Sequence, residues 1–184
     1  MEWTIRRISD MTESEQALYV GMMTDERRVQ LEGIKSEKRR RETICAEGLV
    51  KDLIADSLGI PQNEVGVVRT EQGAPFVKDG SLYISIAHSG EYAVAAASKS
   101  PIGIDIERLA GRSLSAAAKF CNAEDMRLLS NGETALLNFY KIWTAKEAYF
   151  KKLGTGLKDP KSVSYSELNA KHFFKDDYII TIIN

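Results

Sequence analysis

The run Ile102-Gly103-Ile104-Asp105-Ile106-Glu107 constrains this chain more than any other stretch. Successive side chains of a strand point to opposite faces. Ile102, Ile104 and Ile106 therefore share one face, and Asp105 and Glu107 share the other. The isoleucine face belongs in a core. A strand rises about 3.3 Å per residue, so the two carboxylates sit about 7 Å apart. Like charges that close raise each other's pKa unless a cation lies between them. Mg²⁺ accepts one or two carboxylates together with phosphate oxygens and water. Taken alone, the run is explained more simply by a half-buried strand with a solvated polar face.

The rest of the sequence sets limits on the whole. With 184 residues, 43% of them apolar and 28% charged, the chain suits one domain or two small lobes sharing a core, with no need of disulfides or metals. Lys plus Arg is 25 against 26 for Asp plus Glu. That balance excludes a globally basic nucleic-acid binder and leaves room for a local basic patch. Cys45 and Cys121 lie far apart without Cys or His neighbours, which is neither a disulfide framework nor a zinc site. The opening MEWTIRRISD carries charges where a signal peptide needs an apolar run. The longest apolar stretches, 92–97 and 178–183, are too short to span a bilayer. A reduced, cytoplasmic protein without membrane contact is expected.

Local signals predict a strand over 3–8, then a helix opened by the capping-box pattern Thr12-Glu13-Ser14-Glu15. A helical region is expected over 24–58, with Gly33 as a kink or break and Gly59 and Pro61 as its end. Strands are expected over 65–69, 82–86, 92–98 and 102–107, with a turn at Ser89-Gly90-Glu91 and another at Gly73-Ala74-Pro75. Helices follow over 114–120 with Ser113 as cap, 123–130 with Asn122 as cap, and 133–153 stopped by Gly154. A hairpin of 172–175 and 178–183 closes the chain. Helices, strands, helices and strands in that order predict an α+β fold rather than alternating βαβ units.

Three further features could carry chemistry. On a helix, Tyr140, Trp143, Glu147 and Lys151 form one stripe. Glu147 could serve as a metal ligand or base there, and Lys151 could neutralise phosphate. Equally, Glu147 and Lys151 could be a surface pair and Trp143 a core residue. The segment 35–41 reads KSEKRRR, with Arg27 and Arg28 upstream. It could hold phosphates or be a solvated helix face with interspersed acids. His88, at a strand end beside Ser89 and Gly90, could donate to a phosphate or simply satisfy a turn.

In order and spacing these features resemble the 4'-phosphopantetheinyl transferases, specifically the larger monomeric type that activates surfactin synthetase. The signature G-x-D-x-E strand stands here as Gly103 to Glu107, and the W-x-x-K-E-x-x-x-K helix as Trp143 to Lys151. The upstream turns of the family look like Gly73-Ala74-Pro75 and Ala87-His88-Ser89-Gly90. The resemblance implies transfer of the phosphopantetheinyl arm of coenzyme A to a serine of an apo acyl or peptidyl carrier protein, with release of adenosine 3',5'-bisphosphate. It also implies a Mg²⁺ requirement (Mn²⁺ being the alternative) and a monomer of two similar, pseudo-symmetric lobes, here 1–98 and 99–184, with coenzyme A in the cleft between them. Neither nucleic acid nor membrane is an implied partner.

By the same resemblance, Asp105, Glu107 and Glu147 hold the metal, Glu147 takes the serine proton, and Lys151 meets the phosphates. Arg27, Thr43, His88, Gly73 and Pro75 contact coenzyme A. Arg41 joins that list from local charge. Three positions depart from the family pattern: Ala74 replaces a turn lysine, Ala87 a serine, and Gln30 a basic residue. Each removes a possible phosphate contact, while the backbone N–H groups of those turns remain. Two other classes share some of these features. A Mg²⁺-dependent nuclease or phosphohydrolase would cleave without a carrier protein. A non-catalytic carrier or coenzyme A binder would be indifferent to loss of Glu107.

Overall fold

The computed structural model describes residues 1–110, 114–130 and 132–184. The chain divides into two units, Met1–Ser100 and Pro101–Asn184.

In the first unit, strand β1 (Glu2–Arg7) leads into helix α1 (Glu13–Gly21). The Thr12 hydroxyl accepts the Glu15 N–H and the Glu15 carboxylate accepts the Thr12 N–H, closing the expected capping box. The helical region expected over 24–58 is two helices, α2 (Asp25–Glu32) and α3 (Glu37–Leu58). Gly33 caps the first, and the Ser36 hydroxyl starts the second by accepting the Arg39 N–H. A new cap three residues after a glycine is the local reason for the break. Strands β2 (Val67–Arg69) and β3 (Pro75–Val77) form a hairpin. Pro75, expected only as a turn residue, opens β3, a place where its missing N–H costs little.

Strands β4 (Tyr83–Ser89) and β5 (Tyr92–Ser98) form a second hairpin. Strand β5 lies between β1 and β4, antiparallel to both. It is buried along its whole length. Ala93, Ala95 and Ala97 pack with Ile44, Val50 and Ile54 of α3. These small side chains let a long helix lie close on the sheet.

In the second unit, β6 (Gly103–Arg108) pairs with β8 (Tyr178–Ile183), which pairs with β7 (Ala170–Lys175), all antiparallel. Helices α4 (Ala117–Phe120) and α5 (Ala123–Leu128) precede α6 (Ala135–Leu153). The helix expected over 114–120 begins as a 3-10 turn, Leu114–Ala116; Ser113, its expected cap, lies outside the described residues. Asn122 and Asp125 close a capping box on α5. Gly154 ends α6 at φ 67, a left-handed conformation in which glycine meets no Cβ clash. Among the described residues no helix is long and apolar enough to cross a membrane.

Helix α6 packs over β6 and β8. Their closest approach is at Gly103, where a Cβ would lie 1.8 Å from the Ala148 carbonyl oxygen and 2.8 Å from the Lys152 nitrogen. Gly103→Ala must push backbone against backbone. We expect it to destabilise the fold by about 1–3 kcal/mol, the usual cost of overpacking. Urea unfolding of the purified variant measures this, and native stability would refute the close approach.

Candidate active site

Alternation along β6 puts Asp105 and Glu107 on the Gly103 side of the strand, and that side faces α6. The carboxylate face is thus covered by a helix rather than solvated, as the strand pattern alone suggested. Asp105 is 6% exposed and Glu107 half-buried. Lys151, from the last turn of α6, donates to Asp105 Oδ1 at 2.7 Å. Glu147 stands one helical turn before Lys151 and is half-buried. One further turn back, Thr144 contacts Thr181 of β8 at 2.5 Å, and Thr181 is the cross-strand partner of Asp105. Thr144, Glu147 and Lys151 therefore run as one stripe along the carboxylate face of the sheet.

The donor set is hard carboxylate oxygen, which suits Mg²⁺ or Mn²⁺. Among the described residues no three His, Cys, Asp or Glu side chains converge as a ready ligand group. In this structure the cation beside Asp105 is the Lys151 ammonium.

Trp143 and Lys146, in the same helix segment, have structural surroundings. Trp143 packs on Phe120, with ring centroids 3.8 Å apart, and belongs to the core with Ala117, Cys121, Phe139 and Ile142. Lys146 is fully buried. It pairs with the Asp125 carboxylate and donates to the carbonyls of Phe120 at 2.9 Å and Pro160 at 2.7 Å. Asp125 also accepts the N–H groups of Asn122 and Tyr165. Lys146 thus ties α6 to α4, α5 and the segment after the helix. Its place inside a charged motif gave no hint of burial.

Beside the sheet, Tyr165 Oη and His172 Nε2 are 2.8 Å apart, and His172 Nδ1 and Thr181 Oγ1 are 2.8 Å apart. Burial, assisted by the charge of Lys141, pushes the His172 pKa down to about 4.

The anion-binding candidates lie in the first unit. Arg27 Nε donates to Glu47 Oε1 at 2.6 Å and Arg27 Nη1 to Gln30 at 3.0 Å. Arg69 Nη2 reaches the same Glu47 oxygen at 2.6 Å, and its Nη1 donates to the Gly73 carbonyl at 2.6 Å. Arg27, Gln30, Glu47 and Arg69 line a cavity of about 290 Å³ with Lys51 and Thr70. Burial lowers the Lys51 pKa, and its ammonium donates to the carbonyls of Met22 and Val65.

Thr43 lies one turn before Glu47 on α3, its hydroxyl donating to the Arg39 carbonyl at 2.9 Å. Gly73, at φ 85, and Pro75 belong to the β2–β3 hairpin. His88 Nδ1 is 3.6 Å from the Glu42 carboxylate. Arg41 turns away from Arg27: it donates to Gln16 at 2.9 Å and to the Met11 carbonyl. Its surroundings are a separate hollow shared with Arg7, Lys38 and Gly90. Arg69 and Glu47 were not read from the sequence, because nothing in it links positions on three different elements.

Two family models match this chain. One, described as 4'-phosphopantetheinyl transferase, N-terminal, covers residues 10–100. The other, the 4'-phosphopantetheinyl transferase superfamily, covers residues 101–182. The chain is 32% identical over 120 residues to 4'-phosphopantetheinyl transferase gsp of Aneurinibacillus migulanus, covering 64% of this chain and 50% of that protein. It is 31% identical over 120 residues to psf-1 of Bacillus pumilus, covering 64% and 52%. Against Sfp of Bacillus subtilis strain 168 it is 26% identical over 153 residues, covering 82% and 68%. The chain thus spans about half the length of the first two relatives.

Removing Lys146 leaves Asp125 as a buried charge without its cation. Lys146→Ala is expected to cost about 3–5 kcal/mol, as breaking a buried pair usually does; a chemical denaturation curve measures it, and a change below 1 kcal/mol, well short of that, would contradict the role. For His172 the sign is fixed by its lowered pKa. Below pH 6.5 the unfolded chain takes the proton first. The His172 contribution to stability is therefore complete above pH 6.5 and is lost as pH falls towards 4. Melting temperatures of the native chain should decline through that window more steeply than those of His172→Phe.

Proposed function

Since the chain belongs to the 4'-phosphopantetheinyl transferase superfamily, we propose that it transfers the phosphopantetheinyl group of coenzyme A to a serine of an apo acyl or peptidyl carrier protein. The observation that carries the reading is the pairing of both signature blocks on one face: the Asp105 and Glu107 strand lies against the Glu147 and Lys151 helix, joined by the ion pair of Lys151 with Asp105.

The reaction forms a bond from the serine Oγ to the β-phosphorus and breaks the bond from that phosphorus to the bridging oxygen of the pyrophosphate. Adenosine 3',5'-bisphosphate leaves with the bridging oxygen. The serine proton goes to a base, for which Glu147 is the candidate, half-buried beside the carboxylate face. Lys151 places a positive charge where the leaving phosphate gains negative charge. Asp105, Glu107 and Glu147 are the residues that would hold Mg²⁺ or Mn²⁺, which supplies charge neutralisation of the pyrophosphate when bound. Lys151 must then exchange Asp105 for a phosphate as its partner, a swap that conserves charge pairing throughout. Arg27, Thr43, His88 and the Gly73–Pro75 turn are assigned to coenzyme A; Arg41, held by Gln16 and Met11, is the weakest of that set.

The wider reading is of a cytoplasmic monomer built from two similar lobes. In support, each unit sets a long helix on a three-stranded antiparallel sheet, and in each the first strand pairs with the second strand of a later hairpin: β1 with β5, and β6 with β8.

Intact-mass spectrometry tests the proposal. Apo carrier proteins are incubated with the chain, coenzyme A and Mg²⁺, with a chelated control. One phosphopantetheinyl group should be added only where metal is present. Asp105→Asn should lower the rate by at least about a hundredfold, the scale of losing one transition-state electrostatic contact. Native rates in that variant would remove Asp105 from the site.

A further inference from the structure

The buried stripe of α3 runs out on a charged residue. Leu49, Cys45 and Glu42 lie at spacings of three and four, on one face of the helix. Leu49 and Cys45 belong to the core together with Ile84 of β4 and Ala93 of β5. By alternation Ile84, Ile86 and His88 share one face of β4, and Ile86 packs against that same core. Where the helix row and the strand row end, His88 Nδ1 stands 3.6 Å from a Glu42 carboxylate oxygen. The Glu42 side chain is only 12% exposed. A second cation, Lys38 at 3.9 Å, is 77% exposed, so water weakens that pair. Enclosed beside the core, Glu42 acts on the imidazole largely through protein. Its position is otherwise a poor one for an acid. Thr43 and His88 are assigned to coenzyme A, and a carboxylate beside them repels a phosphate unless a cation stands between.

A neutral imidazole carries hydrogen on one nitrogen and a lone pair on the other. A carboxylate facing Nδ1 draws the hydrogen there and leaves Nε2 as an acceptor. An acceptor repels a phosphate oxygen. The imidazolium carries N–H on both nitrogens, and a nearby carboxylate favours that charged form. The other charged and titratable groups that the first unit places around this face are committed elsewhere. Arg6, in one cross-strand row with Ala93 and His88, pairs with Glu15. Arg41 is held by Gln16 and the Met11 carbonyl. Cys45 stays a thiol, burial pushing its pKa up to about 11. Arg7 pairs with Glu91 and donates to Tyr92 in the next row, on the opposite face of the sheet. We propose that Glu42 is a positioning residue that turns Nδ1–H of His88 toward α3 and keeps the ring an imidazolium, so that Nε2–H is presented to a phosphate oxygen. The inference rests on the transferase reading for the identity of the ligand, coenzyme A.

The chain has two histidines, and His172, with its pKa down to about 4, titrates apart from His88. Proton NMR of the full chain without ligand therefore reads His88 by itself. Its midpoint should lie above about 6.5, the ordinary value. Glu42→Gln should lower that midpoint by about one pH unit, the scale of one opposite charge at ion-pair distance. Glu42→Asp, which keeps the charge on a shorter stem, should recover part of the shift. Calorimetry then follows coenzyme A affinity across the midpoint. The ring donates from Nε2 while charged, so affinity should decline as pH rises through the midpoint. In Glu42→Gln the decline should begin about one pH unit lower, leaving the variant about tenfold weaker above both midpoints and closing the gap below them. A merely structural role would lower affinity alike at every pH. A native midpoint at or below about 6.5, or one that Glu42→Gln leaves in place, overturns the proposal. So does a displaced midpoint without a matching displacement of the affinity profile. If Glu42→Gln does not fold, an unchanged midpoint in Glu42→Asp overturns it in the same way. Carrier modification, read separately by mass, keeps the two claims apart. Both displacements with no carrier modified would retain the role of Glu42 and sink the transferase reading; modification with neither displacement would do the reverse.

Discussion

At Gly103 a strand touches the backbone of a helix because no side chain stands between them. That contact sets the height of α6 above β6, and with it the reach of every side chain on the facing stripe. A lysine at the helix end then meets an aspartate two residues along the strand, at hydrogen-bonding distance. A larger residue at position 103 would press on the helix backbone and strain the contacts across this face, Lys151 with Asp105 and Thr144 with Thr181. The chemistry proposed for this face therefore depends on a packing detail that itself carries no charge.

In each unit several charged groups are held in pairs. Lys151 neutralises Asp105, and Glu47 neutralises part of the charge of Arg27 and Arg69. A half-buried charge without a partner is costly, and within each unit these pairs remove that cost. Each pair also fixes the direction of its side chains, so fewer rotamers are open to them. The buried pair of Lys146 with Asp125 is different in kind. Both groups are enclosed and multiply hydrogen-bonded, so they hold elements together and leave nothing to offer a ligand.

Much of this architecture follows from short-range signals. The capping box at Thr12, the hairpin at Gly90 and the stop at Gly154 each rest on a few adjacent residues, and each forms as those residues dictate. The α2–α3 break was harder to read, because Gly33 tolerates a helix and Ser36 caps one, and only their sequence together decides. Long-range effects were out of reach. Alternation showed that Asp105 and Glu107 share a face, but not that a helix covers it. Motif spacing brought Glu147 and Lys151 to that face, yet gave no warning that Lys146, the residue just before Glu147, is enclosed in a core. Arg41 looked like part of a basic cluster with Arg27, and local charge could not show that its neighbours are Met11 and Gln16.

The line of contacts from Tyr165 through His172 and Thr181 to Thr144 has an orientation. The Thr144 hydroxyl has a carbonyl oxygen, that of Tyr140, at 2.9 Å. A carbonyl only accepts, so the single hydrogen of Thr144 is used there. Thr181 must then donate to Thr144, and His172 must donate to Thr181 from Nδ1. Nε2 is left as the acceptor for the tyrosine hydroxyl. Every hydrogen in the line points the same way, from strand to helix. A backbone oxygen on α6 thus selects the tautomer of an imidazole three contacts away, and a proton added to that ring would have to turn the tyrosine hydroxyl around.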